Sequence, residues 1–237
     1  GEARTITRGT VIDLASIGRS TVAREPFTYF TTERVLHPGD LAAVVADFPK
    51  IEGTGIFNVD GLSYGPAFKR LIDDVRSPAF EDLMADKLGL DLSGKPLMVT
   101  VRGHCHRRDG RIHTDSKDKI ATVLLYLNEE GAGHGGASSG CLRLLRNGRD
   151  LEDKLAEVSP TGGTLVAFKR SDNSWHGHYP YEGPRRYIMM NWLASGKALS
   201  RNKGRHTLSA TIKRLARVAR WTSAPPHHRE QNADFHI

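Results

Sequence analysis

Only two cysteines, Cys105 and Cys141, occur in the 237 residues, too few for the disulfide framework that holds small secreted domains together. Both are expected as free thiols, in the core or near a site, in a reducing and cytoplasmic setting. Long apolar runs are also missing. The longest nearly unbroken one, Ala121 to Leu127, falls far short of the roughly 20 residues that a membrane-spanning helix requires. The opening Gly-Glu-Ala-Arg-Thr lacks the basic-then-apolar layout of a secretory signal. Acidic residues are absent from one stretch: residues 197–221 hold eight Lys and Arg and no Asp or Glu. The remaining residues 222–237 carry one base and two acids, so the net charge of +7 leaves the first 196 residues neutral. The basic character belongs to a C-terminal tail and not to the body.

What is present describes a globular chain able to bury a core: 38% hydrophobic and 26% charged residues, with a mean hydropathy of -0.42. The length suits one large catalytic unit with appendages. Thr10 to Ile17 and Pro26 to Leu36 are rich in β-branched and aromatic residues and read as strands. Leu41 to Phe48 has helical spacing with Asp40 as N-cap, and Pro66–Val75 and Pro78–Leu88 repeat the amphipathic pattern, the last with Ser77 as cap. Ile51 to Gly65 reads as a long loop. From Lys95 on, short strands alternate with turn signals: Pro96–Arg102, Ala121–Leu127, Cys141–Leu145, Gly163–Phe168 and Arg186–Leu193. The expected fold is mainly β with supporting helices (α+β), a sandwich or barrel with helices packed on one side. Three parts follow: supporting strands and helices over 1–95, integral to the catalytic unit; a β core over 96–196; a basic helix and tail over 197–237.

The chemistry concentrates at two places. In His113-Thr114-Asp115, residues i and i+2 of an extended chain project from one face, so imidazole and carboxylate can meet one metal ion. Trp175-His176-Gly177-His178 can supply a third ligand from about sixty residues on. Two His and one carboxylate form a facial triad that leaves open positions on iron. Ten residues after His176, Arg186 opens a strand on which Arg186, Ile188, Met190 and Trp192 share a face. A guanidinium deep in a barrel calls for a planar anionic partner, and a bidentate carboxylate is the natural one. Tyr126 shares a face with Thr122 and Leu124, within reach of the same carboxylate. Arg185 is expected on the opposite face, in solvent.

Taken together, His113-Thr114-Asp115, Tyr126-Leu127-Asn128, Trp175-His176-Gly177 and Arg186-Tyr187 resemble the Fe(II)/2-oxoglutarate dioxygenases of the prolyl 4-hydroxylase-like group, over roughly residues 96 to 194. The resemblance implies a double-stranded β-helix (jelly-roll) core and His113, Asp115 and His176 as ligands to Fe(2+). It also implies Arg186 on the distal carboxylate of 2-oxoglutarate, assisted by Tyr126. O2 and 2-oxoglutarate are the implied co-substrates, with ascorbate a candidate reductant, and the products are succinate, CO2 and a hydroxylated peptidyl, amino-acid or small-metabolite substrate. His176 is preferred over His178 as ligand by its Trp-His-Gly context and its spacing to Arg186. An aspartate at 115, where a small residue would leave a vacancy for halide, points to hydroxylation or another oxidation rather than halogenation.

The rival readings are a non-catalytic cupin-like module holding a structural or sensing metal on the same residues, and a zinc hydrolase, for which no general base is evident. His104 and His106 precede the triad, either lining the substrate entrance or standing on the surface. Ile51–Gly65 and Gly131–Ser139 are candidate lids. Thr207–Trp221, with Leu208, Ile212, Leu215 and Ala219 at helical spacing, reads as a basic amphipathic helix, which either docks on the body or meets anionic lipid or nucleic acid.

Overall fold

The computed structural model describes residues 9–129 and 140–200. The first expected strand is instead a helix, α1 (Leu14–Arg19). The Asp13 carboxylate accepts from the Ser16 amide at 2.8 Å, a cap that overrides the β-branched preference of the segment, and only Ile12 forms a β-bridge, to Leu36. Strands β1 (Val22–Ala23) and β2 (Tyr29–Thr32) follow. Helix α2 (Pro38–Ala46) starts two residues before the expected cap: His37 is the N-cap, Pro38 takes the first turn, and Asp40 lies within that turn. Proline's fixed φ opens a helix there, and an acid suits the positive end of the helix dipole. The expected loop at 51–65 contains a short strand, β3 (Phe57–Asn58), and one 3-10 turn. Helices α3 (Pro66–Val75) and α4 (Pro78–Leu88) have the expected bounds, with Ser77 accepting from the Phe80 amide at 3.2 Å.

The remaining strands are β4 (Leu97–Cys105), β5 (Lys119–Tyr126), β6 (Leu142–Leu145), β7 (Lys154–Val158), β8 (Leu165–Lys169), β9 (His176–Gly177) and β10 (Gly183–Leu193). The largely half-exposed β7 has no apolar run and escapes a reading based on one. A seven-stranded sheet in the order β1-β2-β8-β5-β10-β4-β3 faces a three-stranded sheet, β7-β6-β9, and the double-stranded β-helix is these two layers. No helix among the described residues is long and apolar enough to cross a membrane. The expected helix at 207–221 and the whole of the second candidate lid lie outside the described residues.

Both faces of the larger sheet are buried. Val123, Leu125, Ile188, Met190 and Trp192 join Phe68, Leu71, Phe80 and Met84 in the helix-side core, where Trp192 stacks on Phe80 with ring centroids 6.3 Å apart. Leu124, Tyr126, Phe168, Tyr187 and Met189 pack instead with Leu142, Leu144 and Val158 of the smaller sheet. Between the two sheets a cavity of about 370 Å³ opens toward the 108–113 segment.

Candidate active site

The main chain brings the two histidines together. His113 and His176 form an antiparallel bridge in which each amide donates to the other's carbonyl at 3.0 Å, and their rings sit 4.3 Å apart. Gly177 is required beside this bridge: a Cβ there would lie 2.9 Å from the Gly110 carbonyl oxygen and 3.2 Å from the Ile112 backbone. Gly110 has φ +89°, and a Cβ on it would strike the His178 ring at 2.4 Å. These two glycines let the strand carrying His176 lie flush against the segment leading to His113.

Asp115 completes the group, its ligand atom and those of the two histidines all lying within 4.8 Å of one another. His113 Nδ1 lies 2.8 Å from the Arg111 carbonyl and His176 Nδ1 lies 3.0 Å from the Ser174 carbonyl. Each Nδ1 therefore carries the proton, which leaves both Nε2 lone pairs free for a metal. Lys119 Nζ donates to Asp115 Oδ1 at 2.8 Å, and Thr122 Oγ1 donates to Oδ2 at 2.5 Å. Thr122 in turn accepts from Asn191 Nδ2 at 2.8 Å, so a directed chain of three side chains orients the carboxylate. Burial acts to raise the Asp115 pKa, but Lys119, His176 and Thr122 outweigh it and hold the group at about 2. Burial pushes His176 down to about 4, against the pull of Asp115. An ionised Asp115 and a neutral His176 are protonation states that metal binding requires.

His178 lines the cavity but stands outside this group. Its Nδ1 faces the Tyr179 carbonyl at 2.7 Å and its Nε2 lies 4.0 Å from Cys105 Sγ. Burial and then Arg185 lower its pKa to about 4. In the unfolded chain His176 and His178 titrate near 6.5, so the unfolded state takes up protons that the fold refuses. Their contribution is complete above pH 6.5 and is lost as the pH falls toward 4. In the metal-free protein the urea midpoint should drop steadily over that window, with a shallower drop in His178→Gln. A flat midpoint in the parent chain would contradict the burial of neutral imidazoles.

At the other side of the cavity the expected arginine is replaced by its neighbour. Arg185 is 3% exposed; it donates through Nη2 to the Tyr126 hydroxyl at 3.0 Å and through Nη1 to the Gly140 carbonyl. Its guanidinium carbon lies 5.4 Å from the Tyr126 ring centre. Arg186 lies on the helix side with its side chain 40% exposed, 3.9 Å from Glu129 and 5.7 Å from the Phe48 ring centre. The face shared by Arg186, Ile188, Met190 and Trp192 is real, but it is the face packed by the helices. Arg185, Tyr187 and Met189 line the cavity. The pairing of β10 with β4 also slips between Pro184 and Tyr187, at the arginine pair itself. Tyr126 is where the sequence places it, fully buried and lining the cavity. His104 and His106 are exposed. The sequence reading missed Lys119 and Asn191, and it noted Thr122 without a role; the inward alternation of Thr122 with Tyr126 was the available signal.

Comparison with known proteins adds three findings. Residues 100–194 match the family model described as the 2OG-Fe(II) oxygenase superfamily. Among solved structures, a prolyl-4-hydroxylase from Pseudomonas putida superposes with a TM-score of 0.54 at 20% identity, covering 76% of this chain and 98% of that one. The viral collagen prolyl hydroxylase of Paramecium Bursaria Chlorella virus-1, solved as its 2OG complex, gives a TM-score of 0.46 at 17% identity over 69% and 94% of the two chains. A comparison with curated protein sequences finds no match.

Proposed function

We propose that the domain at residues 100–194, which matches the 2OG-Fe(II) oxygenase superfamily model, is such an oxygenase, in which His113 Nε2, His176 Nε2 and the Asp115 carboxylate hold Fe(II), while Arg185 and Tyr126 hold the distal carboxylate of 2-oxoglutarate. The reaction is hydroxylation of a C–H bond in a small-molecule or peptidyl substrate. The observation that carries this reading is a buried guanidinium paired with a phenol in the same cavity as the Asp115 carboxylate and the His113 and His176 imidazoles. When bound, iron and the keto acid supply the oxidative chemistry, in which O2 and 2-oxoglutarate become succinate, CO2 and one oxygen atom for the substrate.

The chain's own contribution is positional. Asp115 is kept anionic and aimed by Lys119 and Thr122, and the two imidazoles keep their lone pairs directed to one point. Arg185 presents a planar fork to a carboxylate, and Ile56, Leu124, Leu142 and Met189 give the cavity apolar walls that limit water.

The test is an anaerobic titration of the full chain with Fe(II) and 2-oxoglutarate, followed by admission of O2, with ascorbate present, and assay of succinate. Iron-dependent succinate formation is expected. Stoichiometric iron binding without any 2-oxoglutarate turnover would instead make this a cupin-like metal-binding module.

A further inference from the structure

The cavity holds more positive charge than the proposed reaction consumes. Its lining includes Arg102, Arg108, Arg111, Lys119 and Arg185 against two carboxylates, Asp109 and Asp115, an excess of three. Fe(II) and the 2-oxoglutarate dianion cancel each other, so binding both leaves that excess unanswered. A cationic cleft with low-dielectric walls draws and holds anions.

Arg102 is the buried member of the set that the reaction leaves unused. It projects from β4 with its side chain 10% exposed, beside Tyr187, whose ring centre is 5.9 Å from the guanidinium carbon. Asp109 and Cys105 engage only its Nη1. Asp109 is itself fixed by the His106 amide at 2.8 Å, so it holds the arginine in place. The buried Nε has no hydrogen-bond partner among the described residues. Buried guanidinium donors are normally satisfied, and an orphan at a cavity wall calls for a partner. Nε and Nη2 form the guanidinium edge that suits a carboxylate. The volume of about 370 Å³ has to take the co-substrate and the reacting group together, which favours a small molecule.

Resting on the oxygenase reading, we propose that the primary substrate is a small carboxylic acid, its carboxylate anchored by Arg102 and drawn in past Arg108 and Arg111. Iron-loaded full-length protein with 2-oxoglutarate is assayed for succinate against free carboxylic acids: the common L-amino acids, 2-hydroxy acids and dicarboxylic acids. Each acid is paired with its neutral amide, and inorganic phosphate serves as the probe for other anions. At least one free acid should stimulate succinate formation and acquire a hydroxyl group, while its amide is inert and phosphate competes weakly. Arg102→Gln should raise KM for that acid by about 30-fold or more, as expected when a charged hydrogen bond is lost, and should change KM for 2-oxoglutarate less than Arg185→Gln does.

Amides that stimulate as well as their acids would overturn the proposal, as would a panel in which no acid stimulates. So would phosphate competing as strongly as the acid, or Arg102→Gln acting on 2-oxoglutarate as strongly as Arg185→Gln, which would make Arg102 a second arm on the co-substrate. Absence of all iron-dependent succinate formation would instead remove the oxygenase reading itself.

Discussion

Replacing Arg185 with alanine is expected to raise KM for 2-oxoglutarate by about 30-fold to several thousand-fold, while Arg186→Ala changes it by less than about fivefold. The first figure follows from breaking a buried, hydrogen-bonded charge pair, which costs about 2–5 kcal/mol, at about 1.4 kcal/mol per factor of ten. The second follows from exposure: a half-exposed arginine whose nearest carboxylate lies 3.9 Å away sits among surface pairs worth roughly 0–1 kcal/mol. Arg185→Lys keeps the charge but loses the fork and should fall between the extremes. Tyr126→Phe removes one neutral donor, with an effect nearer fivefold, since a neutral hydrogen bond contributes about 1 kcal/mol. Iron binding should persist in all four. The 2-oxoglutarate dependence of succinate formation measures the series, and a large defect in Arg186→Ala with a near-normal Arg185→Ala would reverse the assignment of faces.

The larger expected loss belongs to Asp115. Asp115→Ala removes the one anionic ligand of the group and leaves the partly buried Lys119 without its carboxylate. Iron binding should disappear, and with it the weak visible charge-transfer band that a keto acid chelated to Fe(II) gives under anaerobic conditions. His113→Ala should abolish the band as well. Thr122→Val is the informative companion, because it keeps all three ligands and cuts the chain from Asn191 through Thr122 to the carboxylate. Loss of such an outer partner costs about 10–100-fold in metal affinity, so the band should return at higher iron concentration. A band that survives intact in Asp115→Ala would take this residue out of the metal site.

The helices α3 and α4 were legible because proline and serine mark their starts and the apolar positions recur every three to four residues. The metal group was legible for a different reason: His-x-Asp needs only an extended backbone to converge. The arginine was not legible, since alternation sorts residues into two faces without saying which face is inside. On β10 the helix-side set is as buried as the cavity set, Ile188 and Trp192 at 0% exposure against Tyr187 at 7%. Hydrophobicity therefore gives no vote, and the register slip between Pro184 and Tyr187 has no marker in the residues themselves. The α1 segment failed on a local contest: one aspartate side chain outweighed a run of Val, Ile and Thr. Arg102 lay inside a stretch read simply as a strand, and nothing in the sequence tells a buried arginine there from a surface one.

The reciprocal amide bonds between His113 and His176 make the two imidazoles the two ends of one rung. Their spacing is a property of the main chain, set when residue 113 pairs with β9 and not when a cation arrives. Ion capture at such a pair demands little ordering of loops or rotamers, so nearly all of its free energy can appear as affinity. The same stiffness limits the ion: a cation preferring a wider or flatter donor arrangement would have to break the bridge between β9 and residue 113 to obtain it, and selectivity would rest on that bridge's resistance to opening.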